Sequence, residues 1–200
     1  MSPRPSVREE RKDQILAAAT KVFTRHGFAD ARMDDIAAES GLSKGALYWY
    51  FDSKDAIIVS ILDQIFDYET AHFREILEQE DSAKTKLEVF VDTTIKDLNK
   101  MKPLMPILFD FWSLSVRKKT IKLTIKRYYQ NFLDLIEPII EEGIKKGEFR
   151  TVEVKETAVA LGAVYEGTIL FYLYFSDTID IEKQFRTNLD VILEGLVRNS

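Results

Sequence analysis

The chain has 200 residues, 46% of them hydrophobic and 30% charged, with a formal net charge of −5, a composition that suits a globular protein of one domain or two sharing a core. It has no cysteine, which excludes disulfides and thiolate metal sites. The N-terminal stretch MSPRPSVREERKD lacks the apolar core of a signal peptide, and no apolar run reaches the ~18 residues of a membrane span, so the expected address is the cytoplasm, with no membrane partner.

Taken in order, residues 1–8 read as an arm. Pro3 and Pro5 oppose a helix, while Arg4 and Arg8 either reach phosphates or belong to a solvated tail. Residues 9–26 form an amphipathic helix, because Ile15, Leu16, Ala19, Val22 and Phe23 recur at spacings of three and four. Gly27 ends it, and Phe28 turns inward. Met33–Glu39 is a second helix, with Met33, Ile36 and Ala37 on one face and Ser40-Gly41 as its stop. Leu42 then points inward. Ser43 caps a helix of about two turns, Lys44 to Phe51, since its hydroxyl can accept from the free N–H groups of the first turn. Leu47 and Phe51, four apart, define the inner face of that helix. Lys44, Gly45, Tyr48 and Trp49 occupy the opposite face. A glycine in so short a helix is disfavoured by roughly 1 kcal/mol against Ala, which makes sense where another backbone must come close.

This helix, turn and helix resembles the TetR family of bacterial transcription regulators. The resemblance is carried by Gly27-Phe28, Asp35-Ile36-Ala37, Gly41-Leu42-Ser43-Lys44-Gly45, Leu47-Tyr48-Trp49-Tyr50-Phe51 and Ser53-Lys54, and it covers roughly residues 10 to 55. It implies an all-α fold of about nine helices: a three-helix helix-turn-helix head over residues 1–53 that binds DNA, and a helical bundle over 54–200 that dimerises and holds a ligand. It matches Ser43, Lys44, Gly45, Tyr48, Trp49, Tyr50 and Lys54 to DNA contacts. The chemistry suits each. Lys44 offers a cation to a phosphate or a guanine edge, the hydroxyls of Ser43, Tyr48 and Tyr50 can donate to phosphate oxygens, Gly45 lets the helix backbone approach, and Lys54 can anchor the DNA backbone. Ala46, where the family often has Thr, can touch a thymine methyl. At the start of the second helix the family often has Thr twice, whereas this chain has Ala31 and Arg32. Asp35 stands where the acid of a capping box belongs, but its Ser/Thr partner is missing. Arg32 either replaces the hydroxyl as a phosphate contact or points into water. Residues 1–54 hold 9 Lys/Arg against 8 Asp/Glu, and the remainder 19 against 25. Such a mildly basic head has to rely on specific contacts more than on bulk attraction to DNA.

Beyond the head, a helix from about Ser53 to Gln79 buries Ile57, Ile58, Ile61, Leu62, Ile65 and Phe66. No Gly or Pro separates it from the head, so it is the candidate transmitter between the two parts. Ala83 to Met101 is the next helix, broken by Lys102-Pro103. Leu104 to Ser113 is apolar around Asp110. Ser115 to Lys146 is long, with Ile121, Leu123, Ile125, Tyr128, Tyr129, Phe132, Leu135, Ile136 and Ile139 on a broad inner face. Gly143 and Gly147 fray or end it. Glu153 to Phe175 and Ile181 to Arg198 are the last helices. The first is apolar nearly all round from Ala158 onward, which points to burial on two sides, by its own core and by a second copy of the chain. The resemblance implies the same pairing, and the interface expected from it comprises Leu161, Val164, Thr168, Phe171, Phe185, Leu189, Ile192 and Leu196.

The body is rich in aromatics. Phe109, Trp112, Tyr128, Phe132 and Tyr165, with the acids Asp110 and Glu166 among them, are candidates for the lining of an apolar ligand pocket; plain core packing remains the alternative for each. His26 and His72 are the two histidines and lack ligand spacing, so no metal or other cofactor is expected. No nucleophile–base motif appears, and an enzyme is not expected. The expectation is therefore a homodimeric regulator, released from a near-palindromic DNA operator by a small, largely hydrophobic effector, and more often a repressor than an activator. The rival is an all-α ligand-binding or scaffold protein whose head no longer binds DNA.

Overall fold

The computed structural model describes residues 7–77, 82–101 and 105–197, and within them every side chain except those at 68–69, 76–77, 99–101, 105–106 and 108–109. Among the described residues there are nine helices: α1 (Val7–Asp30), α2 (Met33–Ser40), α3 (Lys44–Tyr50), α4 (Lys54–Leu77), α5 (Ala83–Met101), α6 (Met105–Ser115), α7 (Lys119–Lys146), α8 (Val154–Tyr174) and α9 (Ile181–Leu196). A single antiparallel bridge, Phe149 to Val197, is the β-type pairing among them. Arg4 and the rest of residues 1–6 lie outside the described residues.

The chain forms two compact units, residues 1–66 with 103–126 and residues 67–102 with 127–200. Helices α4 and α7 each contribute to both. In the first unit α1 packs on α2 and α6, and α2 packs on α3. Ile15, Phe23, Ile36, Leu47 and Phe51 are buried there as the apolar periodicity predicts, with Ile57, Ile58 and Leu62 of α4. Helical geometry in α1 is interrupted at Gly27, which holds φ 71° and ψ 163°, a conformation open to glycine and costly for other residues. The chain then resumes one further turn to Asp30. Gly41, at φ 68°, closes α2, and its N–H reaches back to the carbonyls of Ala37 and Ala38.

Helix α7 differs from the sequence expectation in three respects. Helix α7 starts at Lys119, not Ser115, because Arg117 and Lys118 both donate to the Leu114 carbonyl and make a turn there. Leu123, placed on the inner face by periodicity, is exposed. Gly143 does not fray α7. It lies buried inside the helix, where an added Cβ would come within 2.2 Å of the Phe149 ring. Gly147, at φ 76°, is the residue that ends the helix.

In the second unit α9 packs on α5 and α8. Phe149 is buried beneath α7, and its neighbour Arg150 donates backbone and side-chain N–H groups to the carbonyls of Leu196 and Gly195, tying the end of α9 to this turn. Glu148 caps α5: its carboxylate accepts from the N–H groups of Ala83 (3.2 Å) and Lys84 (3.1 Å) and from the Ser82 hydroxyl (2.8 Å). These are the orphan donors of a helix N-terminus. Burial raises the pKa of Glu148, but the hydrogen bonds outweigh it and the net shift is downward.

Helix α8 buries Ala158, Gly162, Thr168 and Ile169 along one side. Its opposite side exposes Val159, Val164, Leu170, Phe171, Tyr174 and Phe175. By length and composition alone α8 is apolar enough to cross a membrane, which corrects the expectation that no run in the chain reaches that threshold.

Replacing Gly143 with Ala should overpack the α7–Phe149 contact. The expected loss is about 1–3 kcal/mol in urea unfolding; stability equal to that of the parent chain would contradict the close approach.

Candidate DNA-recognition face and effector cavity

Helix α3 has two distinct faces. Leu47 is fully buried and Phe51, its C-cap, nearly so, while Lys44, Gly45, Tyr48 and Trp49 are exposed and Ala46 and Tyr50 half-buried. The Ser43 hydroxyl accepts from the Ala46 N–H at 3.1 Å, as a cap should, and keeps its own proton for a further acceptor. Nothing lies within 4 Å of where a Gly45 Cβ would stand, and its backbone is helical. The glycine is therefore not required by the packing of this chain. Trp49 is 67% exposed, sits edge-on to Tyr50 at 4.7 Å, and carries the Arg8 guanidinium 5.4 Å above its ring. Arg8 thus belongs to α1 and to this face, not to an unstructured arm.

The entry to α2 is capped in an unusual way. The Arg32 N–H donates to Asp35 Oδ2 at 3.0 Å. This is the acid's half of a capping box; a guanidinium has no acceptor with which to supply the other half. Arg32 itself is exposed. Glu39, at the other end of α2, is held by Arg25 and, at 3.5 Å, by Lys21, and the Arg25 hydrogen bond is the main reason its pKa is lowered. Lys44 pairs with Asp34 of α2 at 2.7 Å.

The Lys54 ammonium, expected to anchor DNA, is engaged within the protein. It donates to three carbonyls at the end of α1: Phe28 (2.7 Å), Ala29 (3.0 Å) and Ala31 (2.6 Å). Three acceptors use all three ammonium protons. It also lies 4.9 Å from the Phe28 ring centroid. Desolvation and the nearby Lys118 push its pKa down, opposed by Asp55 and Asp30. The same corner is tied to α6 and α7. The Phe28 N–H donates to Asp110 Oδ2 at 3.1 Å, and Lys118 pairs with Asp55 at 2.6 Å. Asp110, expected in a ligand pocket, is a hydrogen-bond partner of the head; Trp112 belongs to the same unit. The Phe109 side chain lies outside the described residues.

Of the expected pocket residues, Tyr128, Phe132 and Tyr165 come together in the second unit. Phe132 and Tyr165 line an apolar cavity of about 40 Å³ with Phe90, Leu161, Phe185 and Asn188, among others. Tyr128 joins them on a second, smaller one beside Phe73. Phe90 is the common wall, with ring centroids 4.5 Å from Phe73, 6.0 Å from Phe132 and 5.9 Å from Tyr165. It was legible as an inward residue of its helix, but nothing in the sequence singled it out as a pocket wall. Glu166 instead borders an open groove between α7 and α8, with Tyr129 and Val159.

The expected interface set also divides. Phe185 (3% exposed), Leu189, Leu196 and Thr168 are buried within the chain itself. Thr168 accepts from Asn188 at 2.7 Å and donates to the Val164 carbonyl. Leu161 and Ile192 are half-buried and line the cavity. Val164 and Phe171 remain on the surface, joined by Val159, Leu170, Tyr174, Phe175 and, on α9, Val191, which the sequence did not single out. Amphipathic periodicity marks the buried stripe of α9 but does not say whose core buries it.

Lys54→Met should leave the α1 carbonyls without donors at a half-buried corner. The expected cost is about 1–3 kcal/mol in thermal or urea unfolding. Unchanged stability would mean that the lysine is a surface group after all.

Comparison with known proteins fits this geometry. The model for bacterial regulatory proteins of the tetR family matches residues 15–61, and that for the C-terminal region of QacR-like proteins matches residues 71–198. The HTH-type transcriptional regulator YfiR of Bacillus subtilis is 27% identical over 179 residues, covering 86% of this chain and 87% of its own. A TetR transcription regulator from Haloarcula marismortui superimposes with a TM-score of 0.86 at 19% identity, covering 95% of this chain and all of its own. The regulator FadR from Bacillus subtilis, solved with stearoyl-CoA, gives 0.80 at 20% identity, over 92% and 98% of the two chains. With both family models in register along nearly the whole described chain, this protein belongs to the TetR family and is a DNA-binding transcription regulator.

Proposed function

We propose that the protein is a homodimeric repressor that binds a near-palindromic operator and leaves it when a small, largely hydrophobic effector enters the body. The observation that carries the reading is the division of α3 into a buried side, Leu47 with Phe51, and an exposed side with Lys44, Gly45, Tyr48 and Trp49. That exposed side has the size and chemistry to enter a major groove. Arg32, Ser43, Ala46 and Tyr50 complete the DNA-contacting set, with Arg8 as an added phosphate contact. Lys54 serves by fixing the head, not by touching DNA. The functional division falls after Ser53, with residues 1–53 reading DNA and 54–200 dimerising and sensing. The protein acts on double-stranded DNA in the cytoplasm, and by binding, not catalysis.

The second copy covers the exposed apolar side of α8. Val164, Leu170, Phe171, Tyr174 and Phe175 are too many large apolar side chains to leave in water on one helix. A two-fold pairing through this side places two recognition helices about 34–36 Å apart, one turn of DNA, which is why the operator is palindromic. The effector is apolar because the cavity walls are: Phe90, Phe132 and Tyr165 offer rings and few polar atoms. The structural neighbour solved with stearoyl-CoA supports a hydrophobic ligand class. Effector binding lowers DNA affinity only insofar as it favours a body conformation whose heads are wrongly spaced. Helix α4, which starts at Lys54 directly after the head and runs to Leu77, is the proposed carrier of that change.

Two variants test this. Gly45→Ala should stabilise the fold by up to about 1 kcal/mol, since α3 gains helix propensity and nothing blocks the methyl. It should nonetheless weaken binding in fluorescence anisotropy on operator DNA about ten-fold, because the methyl stands between helix and groove. Undiminished affinity would remove Gly45 from the contact face. Phe171→Asp should give a folded monomer in analytical ultracentrifugation, because Phe171 is 60% exposed in the protomer and its loss leaves the core intact. A stable dimer from that variant would move the interface elsewhere.

A further inference from the structure

Lys44 is the sole cation in the α3 segment KGALYWY, and it is already engaged. Its ammonium meets both carboxylate oxygens of Asp34, at 2.7 Å and 3.1 Å, and both side chains are about three-fifths exposed. The other acids of α2 have separate partners: Asp35 receives the Arg32 N–H, and Glu39 holds Arg25 and Lys21. Asp34 is therefore the acid that α2 turns toward the recognition helix. This hydrogen bond and charge raise the Lys44 pKa.

We propose that Asp34 is a specificity-determining residue, which holds the Lys44 ammonium so that it reads a base edge in the groove instead of clamping any phosphate. The proposal rests on the DNA-binding reading above. An ammonium has three donors, so one shared with a carboxylate can still donate to the O6 or N7 of a guanine. The pair as a whole carries no net charge. It releases no counterion on meeting a random phosphate, so it adds nothing to the sequence-independent affinity that every DNA offers. Bringing that free donor to a phosphate sets the Asp34 carboxylate against the anionic backbone, a repulsion that offsets the attraction of the ammonium. A neutral base edge carries no such penalty. The head is nearly neutral overall, which gives one local carboxylate a large share in setting non-specific affinity.

The test compares the full-length parent chain, Asp34→Asn, Lys44→Met and the double variant by fluorescence anisotropy. The probes are a duplex selected from a random-sequence pool by the parent chain and a duplex of scrambled sequence. Affinities are taken between about 50 and 200 mM salt. Asp34→Asn should steepen the dependence of log K on log salt on the scrambled duplex by about one unit. It should bind that duplex several-fold tighter, and the ratio of selected to scrambled affinity should fall by a similar factor. In the Lys44→Met background the same substitution should change neither slope nor ratio. Thermal melts of all four proteins check that the fold is retained. An unchanged slope and ratio for Asp34→Asn, or an effect that persists without Lys44, overturns the proposal and leaves the pair as an ordinary surface ion pair. If the parent chain binds neither the pool nor the scrambled duplex, the DNA-binding reading itself fails, and the proposal with it.

Discussion

The Lys54 ammonium is the interaction on which the recognition head depends. Helix α1 is broken at a glycine in a conformation that other residues resist, and its last turn leaves three carbonyls, of Phe28, Ala29 and Ala31, pointing at one spot. A half-buried cluster of carbonyls costs free energy unless donors meet it. One lysine, the first residue of α4, meets all three. The start of the long helix is thereby fixed to the end of the first one. Phe28 carries a second tie through its N–H to Asp110 of α6, and Asp55, next to Lys54, carries a third through Lys118 at the start of α7. The corner that orients α2 and α3 thus touches every element of its own compact unit that leads on into the rest of the chain.

This arrangement gives physical content to the idea of a regulated head. A ligand can shift a head only through a chain of contacts with two alternative arrangements. The Phe28–Asp110 and Asp55–Lys118 contacts are short and directional, and each joins α1 or α4 to a helix outside the DNA-reading part. Breaking one leaves a partly buried polar group without its partner. Such contacts are suited to a switch because each is either made or broken. Helix α8 offers the complementary feature in the other unit, an apolar side that the chain leaves exposed.

The head was largely legible in the sequence because its signals are local. Ser43 as a cap, Gly41 as a left-handed stop and the Leu47–Phe51 spacing each depend on residues within one or two turns, and the structure places all of them as read. What the sequence concealed was long-range. Nothing near Lys54 announces that its ammonium serves carbonyls 23 to 26 residues earlier. Asp110, set in an apolar segment, invites a ligand role, yet its partner is a backbone N–H 82 residues away. For α9 the periodicity marks Phe185, Leu189 and Leu196 as a buried stripe but cannot tell an intramolecular core from an interface. The large apolar residues left exposed lie instead on the far side of α8, where the sequence shows almost no polar face. Gly143 illustrates the same limit, since its reason is the Phe149 ring folded back over α7.

The central claim is that α3 reads DNA in pairs set by dimerisation. The most direct test is selection of bound sequences from a random duplex pool by the purified full-length chain at about 150 mM salt, a condition under which non-specific attraction is weak. The account predicts enrichment of an inverted repeat whose half-sites are centred about 10 base pairs, one helical turn, apart. Recovery of no enriched sequence, or of single half-sites without a repeat, would contradict it.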